Sequence, residues 1–316
     1  MHHRASLVSA VAAVASAVAL VACGNERPRA TSAADSARSV ASAQSTSAWQ
    51  TIQDDFGDTI SLRISPRRIV SLNPATTELF FALGAGDRLV GRTHFDAYPP
   101  AAVAIPDLGN GMQPNVESVL GARPDLVVLY ASNVNRDAAS RLHAARVPTL
   151  TLHSDHIADF RRTVEIFGRI LGDTVAARVL IDSVDRTLTR VKTATQGAPK
   201  PTVFWKAWDS PVIAIGGGSF LSELVDIAGG RNIYGDDPRS AFDVTIEDVV
   251  RRNPDVVLGG PESAARMKAT PAWRALQAVR EGRVLVVDTI LVGRPGVRLG
   301  EAAVSIARLL HPDLVR

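Results

Sequence analysis

The sequence predicts an α/β protein made of two Rossmann-like lobes with parallel-rich sheets, joined by one long bridging α-helix. Three observations support this fold class. Short β-branched runs alternate with helical segments along most of the chain, an order typical of βαβ units on a parallel sheet. A segment of the first half recurs in the second half, and a helical stripe lies between the two halves.

The N-terminus has the pattern of a secretory signal peptide over residues 1–22, with a short basic start and a run of Ala, Val and Leu. A membrane-spanning helix would carry more Leu, Ile and Phe over about 20 residues. Residues 20–24, Leu-Val-Ala-Cys-Gly, resemble a bacterial lipobox, and Cys23 is the only cysteine in the chain. We therefore expect a lipid on Cys23. The alternative is an unlipidated signal peptide with a chance cysteine.

Residues 23–48 are expected to form a flexible tether between the lipid and the folded body. They are mostly Ala, Ser, Thr, Arg, Asp and Gln, without an aromatic residue. Such a segment cannot bury enough apolar surface to offset the entropy lost on ordering.

The first lobe is predicted over residues 49–172 and opens with a hairpin. Two strand-like segments, 49–54 and 59–64, flank the turn sequence Asp-Phe-Gly-Asp. Further strands are predicted at 68–72, 126–129 and 149–152, and helices at 76–83, 115–120 and 136–145.

The bridging helix is predicted over residues 173–197. Its apolar positions recur in steps of three to five residues, and Gly197 and Pro199 end it. These apolar positions are Val175, Val179, Val184, Leu188 and Val191. About 22 residues of helix span roughly 33 Å, so the two lobes would be joined by a stiff bridge.

The second lobe is predicted over residues 198–316 with the same alternation. Strands are expected at 202–205, 256–258 and 284–287, and helices at 220–228, 245–252, 271–279 and 298–310. The sequence Gly-Gly-Gly-Ser-Phe at 216–220 is expected to form a tight turn in which Ser219 caps the first of these helices.

The internal repeat aligns residues 115–129 with residues 245–259. Identical pairs are Glu117/Glu247, Val119/Val249, Pro124/Pro254, Asp125/Asp255 and Val127/Val257. Earlier in each half, Thr-Glu-Leu at 77–79 parallels Ser-Glu-Leu at 222–224. Two matches in the same order favour a paired-lobe architecture.

Composition and charge exclude several classes of function. A hydrophobic content of 46% is sufficient for a large core, and the formal net charge is only +3. Nucleic-acid binding is not expected, because no Lys/Arg run is interleaved with aromatic residues. The run His-Ser-Asp-His at 153–156 contains residue types of a hydrolytic triad, but triad members meet in space rather than along one segment. We expect no catalytic activity.

A bare metal ion is an open but weaker alternative. Four histidines, His94, His143, His153 and His156, show no recognisable ligand spacing. Haem is a more specific alternative ligand than a bare metal ion, because a single Tyr or His can ligate its iron. Tyr98, His94 and Tyr130 are candidates, and the sequence does not select among them.

Six segments in order resemble the helical-backbone (type III) periplasmic binding proteins of ABC importers, which carry cobalamin, ferric siderophores and haem. These segments are residues 68–79, 96–100, 123–128, 229–233, 253–257 and 294–299. The cobalamin-binding proteins are the most similar group, through residues 93–100 and 242–247. Two tryptophans typical of that group are replaced, one within Asn-Gly-Met-Gln-Pro at 110–114 and one at Ala241 or Phe242. Cobinamide, haem or a siderophore therefore stays possible.

The resemblance implies a monomeric, lipid-anchored extracytoplasmic receptor, on the periplasmic or outer face of a membrane. It would deliver a small molecule, here a corrinoid, to an ABC importer made of a permease dimer with its ATPase. In this family one glutamate per lobe docks into arginine pockets of the permease, and Glu117 and Glu247 match those positions. The alternative is that these acids only complement the dipoles of their helices.

The predicted ligand-binding residues are aromatic. A broad, partly apolar ligand requires rigid aromatic walls and few fixed polar groups, and aromatic residues make up only 5% of the chain. Five of them lie near predicted strand ends: Phe95, Tyr98, Trp205, Trp208 and Phe242. Trp205 and Tyr98 could equally fill the core, whereas polar neighbours favour exposure of the other three. A purely structural lipoprotein would need neither matched lobes nor paired docking acids.

Overall fold

The computed structural model describes residues 49–63 and 65–314, which belong to one compact unit. The predicted signal peptide, Cys23 and the tether lie outside the described residues. Within the described part, no helix is both long enough and apolar enough to cross a membrane. The strands are β1 Trp49–Gln53, β2 Thr59–Arg63, β3 Ile69–Leu72, β4 Leu89–Gly91, β5 Leu126–Tyr130, β6 Thr149–Leu152, β7 Thr202–Asp209, β8 Val212–Ile215, β9 Arg231–Asn232, β10 Ala241–Asp243, β11 Val256–Gly259 and β12 Val284–Val286.

The α-helices alternate with these strands. They are α1 Pro74–Ala82, α2 Val116–Gly121, α3 Arg136–Ala144, α4 Ile157–Leu171, α5 Thr174–Ala194, α6 Phe220–Ile227, α7 Ile246–Arg252, α8 Pro261–Ala269, α9 Gln277–Arg280, α10 Thr289–Val292 and α11 Leu299–Leu310. The predicted α/β fold class is confirmed, with one lobe on each side of α5.

The first lobe is built on a fully parallel sheet in the order β4-β3-β5-β6. Every residue of β3 and β6 is buried, including the polar Ser71, Thr149 and Thr151, as expected for a parallel sheet that is covered on both faces. Their carboxyl ends meet at one edge of the sheet. Residues that directly follow these strands are therefore brought together there.

The predicted hairpin is confirmed as β1 and β2, and its turn packs against the end of β6. The Asp54 carboxylate accepts a hydrogen bond from the Thr151 amide at 3.1 Å. The Asp55 carboxylate accepts one from the His153 amide at 2.5 Å and one from Arg162 Nη2 at 2.7 Å. The Arg162 guanidinium and this hydrogen bonding hold the pKa of Asp55 below its usual range, although its burial acts most strongly and in the opposite direction.

The bridging helix is α5, 21 residues long, and Asp173 caps its first turn by accepting a hydrogen bond from the Ala176 amide at 2.8 Å. Val184, Leu188 and Val191 form its buried stripe. Val175 and Val179, which the sequence assigned to the same stripe, are instead 73% and 60% exposed. Nine residues separate Val175 from Val184, and this spacing places the two side chains on opposite faces of a helix.

The second lobe has a mixed sheet in the order β10-β8-β7-β11-β12, with β9 beside β7. The pairs β7–β11, β11–β12 and β7–β9 are parallel, while β8 and β10 add an antiparallel edge. The predicted glycine turn precedes α6, and Ser219 Oγ accepts a hydrogen bond from the Leu221 amide at 3.2 Å. A Cβ on Gly216 or Gly218 would collide with backbone carbonyls of residues 238–239.

Several elements differ from the prediction. The sequence analysis did not predict α4, α8, α10 or the short strands β4, β8, β9 and β10. The predicted helix at 271–279 is divided into a 3-10 turn, Pro271–Ala275, and α9. Leu276 between them has an extended backbone and is fully buried. The chain bends at this residue because its side chain completes the core of the second lobe.

Candidate functional site

A cleft of about 400 Å³ lies between the two lobes. The first lobe contributes Asn73 after β3, Tyr130 at the end of β5 and Ser154 after β6. The second lobe contributes Phe220 at the start of α6 and Arg294 after α10. The cleft therefore lies at the carboxyl edge of the parallel sheet, where α/β proteins bind ligands.

A larger groove of about 700 Å³ runs along α5 and α11. Its lining includes Val184 and Thr187 of α5 and Val304 and Arg308 of α11. All of its lining residues come from the bridging helix and the second lobe, so no strand of the first lobe reaches it. We assign the ligand site to the interlobe cleft because both lobes line it and polar groups converge there.

The apolar part of the cleft consists of exposed side chains of the first lobe. Phe95 is 53% exposed and Met112 is 44% exposed, although both are large and hydrophobic. The His94 ring packs against Phe95, with 4.0 Å between the ring centroids. Large apolar side chains that stay accessible within a concave surface are typical of a ligand-binding wall.

The charged side chains that line the cleft are Arg294 and Asp155, and both have partners. Arg294 Nη1 lies 3.5 Å from Glu78 Oε1, and its Nη2 donates to the Phe95 carbonyl. Asp155 accepts a hydrogen bond from the Tyr130 hydroxyl at 2.6 Å and lies 3.2 Å from His153 Nδ1. The cleft thus offers a ligand neutral hydrogen-bonding groups, while its two charged side chains are already bound to other groups of the protein.

Tyr130 is held in its protonated form. Burial raises the pKa of its hydroxyl well above the usual range, and the hydrogen bond to Asp155 raises it further. A hydroxyl that donates to a carboxylate is a poor source of a tyrosinate ligand for iron. Among the described residues, no group of three or more His, Cys, Asp or Glu side chains could hold a metal ion.

The comparisons with known proteins agree with this geometry. The model of the family described as "Periplasmic binding protein" matches residues 69–291. The chain belongs to the periplasmic binding protein family. An ABC transporter substrate-binding lipoprotein from Bacillus subtilis, YvrC, is 29% identical over 99% of both chains. A vitamin B12-binding protein from Vibrio cholerae is 27% identical over 77% of this chain and 88% of its own length.

Two solved periplasmic binding proteins share the fold. The vitamin B12-binding protein BtuF of Vibrio cholerae superposes with a TM-score of 0.69 at 23% identity, over 78% of this chain and 97% of its own. The haem-binding protein BhuT, in complex with two haems, gives a TM-score of 0.71 at 27% identity, over 79% of this chain and 99% of its own. This protein is therefore an extracytoplasmic substrate-binding protein of ABC importers, with cobalamin-binding and haem-binding relatives.

Of the five aromatic residues predicted for the ligand site, only Phe95 lines the cleft of this periplasmic binding protein. Tyr98 lies beneath the Arg298 guanidinium, 3.9 Å from its ring centroid, and so joins the two lobes instead. Trp208, near the end of β7, is 62% exposed and outside the cleft. Phe242 packs edge-on against Tyr234 of its own lobe at 5.4 Å, with Arg239 over its ring.

Trp205 requires a correction. It is only 5% exposed and belongs to the hydrophobic core, so it cannot form a wall of the cleft. The physical reason is the position of β7, which is an interior strand of the second sheet with β8 on one side and β11 on the other. An apolar side chain on such a strand is covered by the helices that pack on the sheet.

Sequence reasoning missed several residues of the cleft. Asn73, Met112, Ser154 and Arg294 were not predicted as ligand-site residues, and Tyr130 was considered only as an iron ligand. A positional signal was available for two of them, because Asn73 and Ser154 follow parallel strands within two residues of their carboxyl ends. Met112 and Arg294 lie in segments that the sequence analysis compared with the family, 110–114 and 294–299, but no local pattern indicates that their side chains line the cleft.

The predicted docking residues Glu117 and Glu247 occupy matched places in the two lobes. Each lies in the first turn of a short helix, behind a capping residue. Asn115 Oδ1 accepts from the Ser118 amide at 3.1 Å, and Thr245 Oγ1 accepts from the Asp248 amide at 3.2 Å. Both glutamates are exposed, and neither forms an ion pair with another described residue.

Proposed function

We propose that this substrate-binding protein captures a corrinoid between its lobes and delivers it to the permease of an ABC importer, without catalysis of its own. The observation that carries the choice of ligand is that both charged side chains of the cleft already have protein partners, Arg294 with Glu78 and Asp155 with the Tyr130 hydroxyl. The edge of a corrin ring carries neutral amides, which suit neutral hydrogen-bonding groups such as Asn73 and Tyr130. Its broad apolar faces suit Phe95 and Met112.

A haem is the alternative ligand, because a haem-binding protein of known structure shares the fold. Haem carries two propionate carboxylates that are stabilised by cationic partners. The cationic side chain that lines this cleft, Arg294, is already engaged by Glu78 and by the Phe95 carbonyl. Anionic ferric siderophores meet the same difficulty. The arrangement therefore favours cobalamin or the smaller cobinamide.

Isothermal titration of the purified chain, with Cys23 replaced by serine, tests the ligand class. Cyanocobalamin, cobinamide, haem and a ferric hydroxamate siderophore are titrated separately under the same conditions. We expect one-to-one binding of a corrinoid and weaker or undetectable binding of haem. Binding of haem or siderophore without any corrinoid would overturn the choice of ligand, while the role as a transport receptor would stand.

Delivery is proposed to use Glu117 and Glu247 as contacts to arginines of the permease dimer. Their exposure, their matched helix positions and the absence of competing ion pairs among the described residues support this role. Two helices placed in the same way in two lobes suit a partner that is itself a symmetric dimer.

Membrane attachment is proposed to occur through a lipid on Cys23, with residues 23–48 as the tether and the protein acting as a monomer. The lipobox-like sequence supports this proposal, and so does the description of the Bacillus subtilis relative as a lipoprotein. Each methylene of a buried acyl chain contributes about 0.8 kcal/mol to anchoring. Replacing Cys23 with serine should move the protein from the membrane fraction to the soluble fraction. Continued retention of the variant in membranes would contradict lipid anchoring.

A further inference from the structure

Two glutamates at equivalent positions of the internal repeat each contact residues of the opposite lobe. Glu78 belongs to Thr-Glu-Leu at 77–79 in the first half, and Glu223 belongs to Ser-Glu-Leu at 222–224 in the second. Glu78 lies on α1 and Glu223 on α6, and each of these helices follows a strand of its own lobe. The repeat thus supplies a second pair of acids, distinct from the exposed pair on α2 and α7.

The first contact is buried. Glu78 Oε1 lies 3.5 Å from Arg294 Nη1 and 3.9 Å from Arg298 Nη2, and both arginines belong to the second lobe. The Glu78 side chain is 1% exposed, and each arginine side chain is 15% exposed. Arg294 also donates to the Phe95 carbonyl, and Arg298 covers the ring of Tyr98. Four side chains and one carbonyl are therefore joined across the interface at this point.

The second contact is reciprocal and more exposed. Glu223 Oε1 lies 2.7 Å from His156 Nδ1 of the first lobe, and Glu223 Oε2 accepts from the Ile157 amide at 3.4 Å. Beside it, the Phe220 amide donates to the Asp155 carbonyl at 2.5 Å. The His156 and Glu223 side chains are 48% and 35% exposed.

Both contacts adjoin the cleft. Pro74 and Ala75 in the first turn of α1 line it, as does Phe220 in the first turn of α6. Arg294 and Asp155, which take part in the two contacts, line it as well. Each lobe therefore contacts the other through a helix whose first turn lines the cleft. The distance between the cleft walls then depends on both contacts.

We infer that Glu78 and Glu223 are reciprocal interlobe contacts that set the width of the cleft before a ligand binds, and that the lobes separate first at Glu223. The asymmetry follows from burial. A buried carboxylate that loses its partners leaves an uncompensated charge or an unpaired polar group, which is costly. A half-exposed pair is replaced by water at little cost. The Glu78 contact is thus the pivot and the Glu223 contact is the opening edge.

Double electron–electron resonance, which measures the distance between two spin labels, tests this inference on the ligand-free chain. Cys23 is the only cysteine, so with Cys23 replaced by serine two introduced cysteines carry the spin labels uniquely. One label pair, Ala158→Cys with Asp226→Cys, reports across the Glu223 contact from exposed positions on α4 and α6. The other pair, Ala101→Cys with Ile290→Cys, reports across the Glu78 contact, also from exposed positions.

Glu223→Gln is expected to broaden the distance distribution of the first label pair towards longer values and to leave the second unchanged. Glu78→Gln is expected to broaden both distributions. Glu301→Gln is the matched control, an exposed glutamate in the same lobe as Glu223, and should change neither. If Glu78→Gln does not fold, Arg298→Gln replaces it, since Arg294 still pairs with Glu78, and should broaden the second distribution.

Distributions that match the unsubstituted chain in both glutamine variants would overturn the inference. Broadening at the Glu78 contact alone in the Glu223 variant would overturn the assignment of the opening edge. The inference rests on the proposed cleft as the ligand site, but these measurements contain no ligand. A failure to bind corrinoids therefore leaves the result intact, and the two proposals fail separately.

Discussion

Phe95 and Trp208 were predicted from the same kind of evidence, an aromatic residue near a strand end with polar neighbours. Both are exposed, at 53% and 62%, but only Phe95 lines the cleft. Its loop is held by buried groups. The Asp96 carboxylate is 1% exposed and accepts hydrogen bonds from the hydroxyls of Thr77 and Thr93. Exposure of an aromatic residue is thus predictable from its neighbours, whereas its direction depends on contacts that are distant in sequence.

Phe95→Ala should weaken binding of cyanocobalamin by about tenfold, a loss of about 1.4 kcal/mol, because one wall of the cleft loses its aromatic surface. Trp208→Ala removes a larger and equally exposed aromatic side chain outside the cleft and should change the affinity little. Both affinities are measured by titration calorimetry. A larger loss for the Trp208 variant would place the ligand elsewhere.

Glu78 should make the stability of the protein depend on pH. Burial raises the pKa of its carboxyl to about 7 from 4.5, against the opposing effects of Arg298 and Arg294, and nearby Asp96 adds to the increase. Between these pH values the folded chain holds a proton that the unfolded chain has released. The contribution of protonated Glu78 to the free energy of unfolding is therefore complete below pH 4.5 and is lost as the pH rises through 7.

Glu78→Gln does not titrate at this position and serves as the reference. The free energy of unfolding of the unsubstituted chain, minus that of this variant, should decrease by about 2.5 kcal/mol between pH 5 and pH 8. Urea unfolding at both pH values measures this difference. A difference that is the same at pH 5 and at pH 8 would show that Glu78 keeps an ordinary pKa in the fold.

Helices α2 and α7 show how closely a local pattern can specify an element. Each was predicted within one residue of its observed bounds. Each has a capping residue before it, an acid in its first turn and a Pro-Asp pair between it and the next strand. The larger helix α4 was missed, although it spans 15 residues and buries Phe160, Val164 and Phe167. It begins directly after the His-Ser-Asp-His segment at 153–156, whose side chains resemble those of a hydrolytic triad and do not indicate a helix boundary.

The double substitution Glu117→Ala with Glu247→Ala should abolish ligand uptake while leaving ligand affinity unchanged, because the two helices present their acids away from the cleft lining. The matched control is Asp137→Ala with Glu262→Ala. It removes the same charge from exposed first-turn positions of α3 and α8. Uptake of labelled cobalamin by cells measures the effect. Normal uptake in the first double variant would refute docking through this pair.

The molecule as a whole is held together by a core that does not stop at the lobe boundary. One hydrophobic cluster includes Phe80 and Phe167 of the first lobe, Leu188 of the bridging helix, and Leu224 and Ile306 of the second lobe. Two further clusters serve one lobe each. A core shared in this way couples the unfolding of the two lobes.

Differential scanning calorimetry of the chain should therefore show one unfolding transition rather than two. Leu188→Ala, which shortens a buried side chain at the centre of the shared cluster, should lower its midpoint, with a destabilisation of about 2–5 kcal/mol. Val179→Ala on the exposed face of the same helix should have little effect. Two well-separated transitions in the unsubstituted chain would show that the lobes fold independently.

The α/β class, the two matched lobes and the bridging helix were all predictable from the chain, because hydrophobic periodicity, capping residues and an internal repeat are local properties. The family resemblance also followed from the order of short motifs. The composition of the cleft was not predictable in this way. Met112 and Arg294 are 182 positions apart in sequence and line the same cavity, and Trp205 is removed from it by an interior strand. Which side chains face a cavity depends on how sheets, loops and lobes pack against one another, and that packing is a property of the folded chain rather than of any segment.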